Sequence, residues 1–346
     1  MTLNNLVERD IAIDLGTDTT LLYVSGKGIR LREPTIVAVD RQDGHLIKVG
    51  EDARKMLGRT PANIVAVHPI TAGVISDYDM TAAMLKELIR RVTSFSLFKP
   101  RVLVCVPGSI SGVEERAIMD AVIEAGGRKV YLVQSSVATA VGAGLDVNRP
   151  DGHMIIDIGG GTTEVAVVAN GGVVSCDSIK VAGQSFDEAI VRYIRKKYNM
   201  LIGLTAAEEL KRSIGCVMQR PDMGVEELRG RSLTDAKPKV IQVSANELIE
   251  AFVDPMNRIL EAVHEVLEQT PPESVGDLET NGIIMSGGGS LLYGIDRLIE
   301  RSTGIRTTVV DDPISCAAYG AGKLLKHLDE MQDGMMNYRR MRQLKL

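Results

Sequence analysis

The 346-residue chain has no tryptophan and only four phenylalanines, and aromatics make up 3% of it. Proteins that hold single-stranded nucleic acid stack bases on aromatic rings, so this scarcity argues against that class. Positive charge is not in excess either. With 40 Lys and Arg against 45 Asp and Glu, the net charge is −5, and no basic field favours nucleic acid. Cys105, Cys176, Cys216 and Cys316 form no CxxC pair, which argues against a zinc site, and three of them sit in apolar contexts that suit core residues in a reducing compartment. No apolar run approaches the roughly 20 residues of a membrane span. The opening MTLNNLVERD lacks the basic and apolar regions of a secretory signal. We therefore expect a cytoplasmic protein. The common nucleotide signatures are missing as well: neither a Walker A loop nor GxGxxG occurs.

What is present is an ordinary globular composition, 45% hydrophobic and 25% charged, on a chain long enough for two domains or one two-lobed body. The stretch MIIDIGGGTTEVAVV, residues 154–168, runs an apolar strand into three glycines and two threonines and then resumes as a strand. Two readings fit it. Glycine tolerates positive φ, so it can be a tight hairpin; glycines also let backbone N–H groups approach an anion, so it can be a phosphate cradle.

An internal echo bears on that choice. IAIDLGTDTTLLYV, residues 11–24, falls in register with it: Ile13 with Ile156, Asp14 with Asp157, Gly16 with Gly159, Thr19 with Thr162, Thr20 with Thr163. A hairpin alone does not need an Asp at the end of its first strand, twice, at one offset. Two related hairpins suggest two similar lobes facing a shared ligand. A third glycine turn, Gly287-Gly288-Gly289, follows the apolar IIMS and precedes a helix expected to begin near Ser290.

Between these marks strands and helices alternate. Residues 101–110 read as a buried strand, 111–127 as a helix stopped by glycine, and 129–134 as a strand. Helices are expected at 184–199, 205–220 and 244–273, the last kinked near Pro255 and ended by Pro271-Pro272. Residues 221–243 are polar and turn-rich and suit a peripheral β-rich subdomain. The class is α/β.

The three turns, in this order, resemble those of the actin/Hsp70/sugar-kinase superfamily, and within it the chain resembles the MreB family of bacterial actins. EPTIVAV (33–39), GVISDYDMTAAMLKELI (73–89), PRVLVCVPGSISGVEERAI (100–118), DIGGGTTEVAVV (157–168), FDEAIVRYIRKKYN (186–199) and DDPISCAAYGAGKLL (311–325) carry the likeness. It implies an actin/Hsp70-like (ribonuclease H-like) two-lobed fold with nucleotide in the interdomain cleft. Domain I would be 1–142 plus 314–346, with a small subdomain at about 33–67. Domain II would be 143–313, with a small subdomain at about 184–245.

The resemblance further implies ATP or ADP with Mg²⁺, self-polymerisation, and a place at the inner face of the cell membrane organising cell shape. Partners would be other MreB paralogues, membrane lipids and cell-wall elongation proteins. Carried over residue by residue, Asp14 and Asp157 would hold hydrated Mg²⁺. Gly16, Thr17, Asp18 and Thr19 with Gly159, Gly160, Gly161 and Thr162 would wrap the phosphates, Thr162 also serving hydrolysis. Glu208 and Lys211 would meet the ribose and adenine, although from the residues alone they also read as a solvent-exposed helix pair. Gly287, Gly288 and Gly289 would close over the nucleoside.

Three segments depart from the family pattern. Where the family has Glu-Glu-Pro, this chain has Gln134, Ser135 and Ser136. Ser135 stands at the glutamate that orients the attacking water, which implies weak ATPase activity or a scaffold that does not hydrolyse. Gln134 can orient water as an amide but is expected on the other side of a strand. Asp18 places an acid beside the phosphates, and HPITAGV (68–74) lacks the usual basic and acidic residues at Thr71 and Ala72. For the membrane, Leu97 and Phe98 match a short apolar loop of some relatives and are flanked by Lys99 and Arg101; core packing of Phe95 and Phe98 is the alternative. The tail MMNYRRMRQLKL suits either a basic amphipathic helix on anionic lipid or a solvated end.

Overall fold

The computed structural model describes residues 10–57, 63–93, 99–222, 224–330 and 334–335. Leu97, Phe98 and nearly all of the basic tail lie outside them.

The first lobe begins with the hairpin β1 (Ile11–Leu15) and β2 (Thr19–Val24), followed by β3 (Gly28–Pro34). A small appendage follows: β4 (Val37–Asp40), β5 (Leu46–Val49), α1 (Glu51–Arg54) and β6 (Ile64–Val67). The short ribbon β7 (Ile70–Thr71) and β8 (Val74–Ile75) leads to α2 (Tyr78–Thr93), β9 (Arg101–Val106), α3 (Gly112–Glu124), β10 (Lys129–Gln134) and α4 (Ser135–Gly142). The second lobe opens with another hairpin, β11 (His153–Ile158) and β12 (Thr163–Ala169), then β13 (Gly172–Ile179), α5 (Gly183–Tyr198), β14 (Met200–Leu201) and α6 (Leu204–Ile214). The ribbon β15 (Val225–Ser232) and β16 (Pro238–Ser244) is followed by α7 (Ala245–Gln269), α8 (Pro272–Asn281), β17 (Ile283–Ser286), α9 (Ile295–Thr303) and β18 (Thr307–Val309). The chain then returns to the first lobe through α10 (Cys316–Leu324) and β19 (Gly334–Met335).

The echo in the sequence is an echo in topology. One sheet has the order β19-β10-β9-β1-β2-β3 and the other β13-β12-β11-β17-β18. In each, the first strand of the hairpin pairs antiparallel with its own second strand and parallel with a later one. These central strands are buried on both faces, which is why they read as continuous apolar runs; β12 is buried along its whole length. Two smaller sheets, β5-β4-β6 and β14-β15-β16, are the peripheral additions.

Local chemistry sets the helices. In α3, Ser111 and Glu114 cap each other reciprocally. In α7, Glu247 accepts from the Ser244 N–H, and Leu248, Phe252, Met256, Ile259 and Val263 form the buried stripe. Phe252 meets Phe186 of α5 edge-to-face at 5.0 Å, joining two helices beneath the second sheet.

Several sequence boundaries need correction. Helix α6 stops at Ile214, because Gly215 takes an extended ψ of 129° after a last helical bond to the Lys211 carbonyl. Helix α7 ends at Gln269, and Pro271-Pro272 start α8 rather than ending a helix, as proline suits the first turn. The third glycine turn leads first into a 3₁₀ turn over Gly288–Leu291, so α9 begins at Ile295, not near Ser290.

The lobes meet at α4 and α10. A Cβ on Gly320 would lie 1.7 Å from the Ala138 carbonyl oxygen, and one on Gly142 would lie 2.1 Å from that of Cys316, so only glycine allows this helix crossing. Around it a core takes Ala12 and Leu103 from the first sheet, Ile155 and Val168 from the second, and Ala317 and Leu324 from α10.

Candidate functional site

Each hairpin closes with the same bond. The Gly16 N–H donates to the Thr19 carbonyl at 3.2 Å, and the Gly159 N–H to that of Thr162 at 2.9 Å. The second threonine of each pair braces its turn from behind. Buried Thr20 meets Thr35, whose hydroxyl donates to the Gly16 carbonyl at 2.8 Å, and Thr163 donates to the Val181 carbonyl at 2.6 Å. The hairpin and cradle readings are thus compatible, since each turn is built with its backbone already tied.

The turns interlock. A Cβ on Gly161 would lie 2.5 Å from Thr17 Oγ1, and one on Gly160 would lie 2.0 Å from Asp18 Oδ2, so the side chains of the first turn fill space that glycines leave in the second. Thr17 Oγ1 also accepts from the Gly73 N–H at 2.9 Å. The third turn packs on the base of the second hairpin: Gly287 has φ 79°, and a Cβ there would lie 2.4 Å from Asp157 Oδ1 and 2.3 Å from the Ile158 carbonyl oxygen. Gly289 is held equally close to the Ile158 side chain. Both glycines are thus required by the protein's own packing.

Asp14 and Asp157 end the two central strands. Withdrawal from water pushes the Asp14 carboxyl up to about 6. Burial, then the nearby Asp14 and Glu164 charges, pushes Asp157 up to about 7, against a 3.3 Å hydrogen bond from Thr139 Oγ1. Among the described residues no basic side chain pairs with either, and no group of three or more His, Cys, Asp or Glu is arranged as metal ligands. Two neighbouring carboxylates with no basic partner among the described residues fit one divalent ion held through water.

Strand β10 ends at Gln134, which caps α4, and Ser135 is the first helical residue. The two positions therefore do not alternate along one strand, as the sequence suggested. Ser135 Oγ donates to the Val106 carbonyl at 3.2 Å. Lys211 places its ammonium 2.8 Å from the Asp187 carboxylate and from the Gly183 carbonyl, while Glu208 pairs with Arg212 at 3.8 Å on a more exposed face. Asp187, pushed up to about 6 by burial despite Lys211, was not singled out in the sequence.

Nor was Glu164, which is 5% exposed. Its carboxylate accepts from the Gly108 and Ser136 N–H groups, both at 3.0 Å, and so ties the end of β9 to the N-terminus of α4. Burial raises its carboxyl above the ordinary value in spite of those donors. The signal was an acid inside an otherwise apolar strand.

Two facing strand-turn-strand hairpins, a third glycine turn and two aspartates beneath them define an actin-like protein. The family profile described as MreB/Mbl protein matches residues 8–333. The cell shape-determining protein MreB of Escherichia coli K12 is 45% identical over 331 residues, 94% of this chain and 95% of that one. Cell shape-determining protein Mbl of Bacillus subtilis is 44% identical over 326 residues, 93% of this chain and 97% of its own. Among solved structures, MreB5 of Spiroplasma citri bound to ADP has a TM-score of 0.90 at 34% identity, covering 93% of this chain and 98% of that one. The same protein bound to AMPPNP has a TM-score of 0.89. The MamK double helical filament, at 20% identity, shares the fold with a TM-score of 0.80, covering 92% of this chain and 99% of that one. The chain belongs to the MreB/Mbl family.

Proposed function

We propose that this protein binds ATP and ADP with Mg²⁺ between its lobes and assembles into filaments that organise cell shape and cell-wall synthesis at the inner membrane face. The observation that carries the reading is the pair of interlocking Asp-Gly-Thr-Thr hairpins, whose aspartates no basic side chain among the described residues pairs with. Residues 1–142 with 314–346 would form one domain and 143–313 the other. When bound, the divalent ion would neutralise the phosphates and the two aspartates together. The backbone of the two turns would donate to phosphate oxygens, and Thr162 would add a hydroxyl at the second turn. Glu208 and Lys211 would reach the nucleoside once Lys211 leaves Asp187.

A second reading, a nucleotide-binding scaffold that modulates filaments of another MreB without turnover, is favoured by Ser135. Its hydroxyl is spent on the Val106 carbonyl and it carries no carboxylate to orient water. Leu97 and Phe98 are proposed as the lipid contact. Phosphate release measured beside sedimentation, with and without Mg·ATP and anionic liposomes, tests these readings together. Nucleotide-dependent pelleting with slow release supports the filament; pelleting without release supports the scaffold; no nucleotide binding at millimolar ligand overturns both.

A further inference from the structure

Asp18 belongs to the turn of the first lobe, yet its carboxylate is embedded in the second. Oδ1 accepts a 2.5 Å hydrogen bond from Gln184 Nε2, and Oδ2 rests in the space left by Gly160. Gln184 is fastened to the second turn as well: its backbone N–H donates to the Gly160 carbonyl at 2.8 Å, beside the bond from Gly183 to Gly159 at 3.0 Å. One residue at the start of α5 thus grips both turns. Among the described residues no cation forms an ion pair with Asp18. Lys211 is engaged by Asp187; its charge and that of His68 favour the Asp18 carboxylate, and Glu208 opposes them. Burial accordingly raises the Asp18 carboxyl from its ordinary value. A carboxylate that lies against Gly160, between two turns of this kind, occupies space that a bound phosphate would need.

We propose that Asp18 and Gln184 form a latch across the phosphate cradle, and that Asp18 discriminates against phosphate-bearing ligands, which enter only by displacing its carboxylate. The proposal rests on the nucleotide reading of the cleft. A nucleoside without phosphates does not compete with Asp18, whereas ADP and ATP do, so the residue acts on the phosphate part of recognition alone.

The test uses the full-length, nucleotide-free protein and the variants Asp18→Ala, Asp18→Asn and Gln184→Ala. Hydrogen exchange of segments 14–20 and 182–186 reads the latch; calorimetric titration with Mg·ADP, Mg·ATP and adenosine reads the discrimination. Losing the cross-lobe bond in Asp18→Ala and Gln184→Ala should speed exchange of both segments about fivefold. Asp18→Asn keeps the shape and a hydrogen-bonding group, so its exchange should stay near wild type. Removing the charge in Asp18→Ala and Asp18→Asn should tighten ADP and ATP about tenfold while leaving adenosine unchanged. Unaltered exchange in Asp18→Ala overturns the latch. ADP and adenosine affinities moving together, or ADP weakening, overturn the discrimination. Loosened segments with no nucleotide bound by any variant would uphold the latch and overturn the nucleotide reading.

Discussion

The two hairpins share a frame, and their differences at Thr17/Gly160, Asp18/Gly161 and Leu21/Glu164 assign their roles. In the first, Thr17 and Asp18 extend outward from the turn; in the second, Gly160 and Gly161 leave the room they enter. Within the strands, Asp14 lies opposite Leu21, whereas Asp157 lies opposite Glu164. The first hairpin is therefore backed by core, and the second reaches through Glu164 to hold α4. Duplicated architecture keeps the aspartates and the turn bonds, and the substitutions around them turn a symmetric pair into a knob and its socket.

The largest effect should come where the second hairpin supports α4. If the missing acid at its first residue limits hydrolysis, Ser135→Glu raises single-turnover hydrolysis, with a ceiling of about 10²–10⁴-fold. Should Gln134 already orient the water, Gln134→Ala lowers the rate and Ser135→Glu leaves it unchanged, which quenched-flow measurement with radiolabelled ATP separates.

Next come the shared aspartates. Asp14→Ala and Asp157→Ala should each weaken Mg²⁺-dependent ADP binding by about 10- to 100-fold while the protein stays folded. Equal losses by calorimetry would show the hairpins acting as a pair, and a loss from one alone would break the symmetry.

Glu164 offers a smaller, pH-dependent contrast with Leu21. Glu164→Gln keeps only one acceptor for two backbone donors and should cost about 1–3 kcal/mol by denaturant titration. Because its folded-state carboxyl is raised above the ordinary 4.5, the wild-type contribution is fully present below that value and declines as pH rises through the raised one. The gap between variant and wild type should therefore narrow from pH 5 to pH 8, and a gap that widens would contradict the burial argument.

The smallest effect probes the socket itself. Gly161→Ala should lose about 1 kcal/mol by crowding the Thr17 side chain, Cβ included, and pairing it with Thr17→Gly should restore most of that loss. Additive losses in thermal melts would mean that the two turns do not interlock.

The sequence by itself determined the two-lobed α/β plan, the paired hairpins, the aspartates and the family, because strand periodicity and an Asp-Gly-Thr-Thr repeat are local and survive in one dimension. Helix ends were less legible: Pro271-Pro272 can stop one helix or open another, and only the packing of α8 showed which. The tertiary structure alone decided what Asp18, Glu164 and Lys211 touch. Their partners, Gln184, the Gly108 and Ser136 N–H groups, and Asp187, are 166, 56, 28 and 24 residues away in the chain. A charge's partner and its hydration are set by which lobe folds against it, and no local pattern records that.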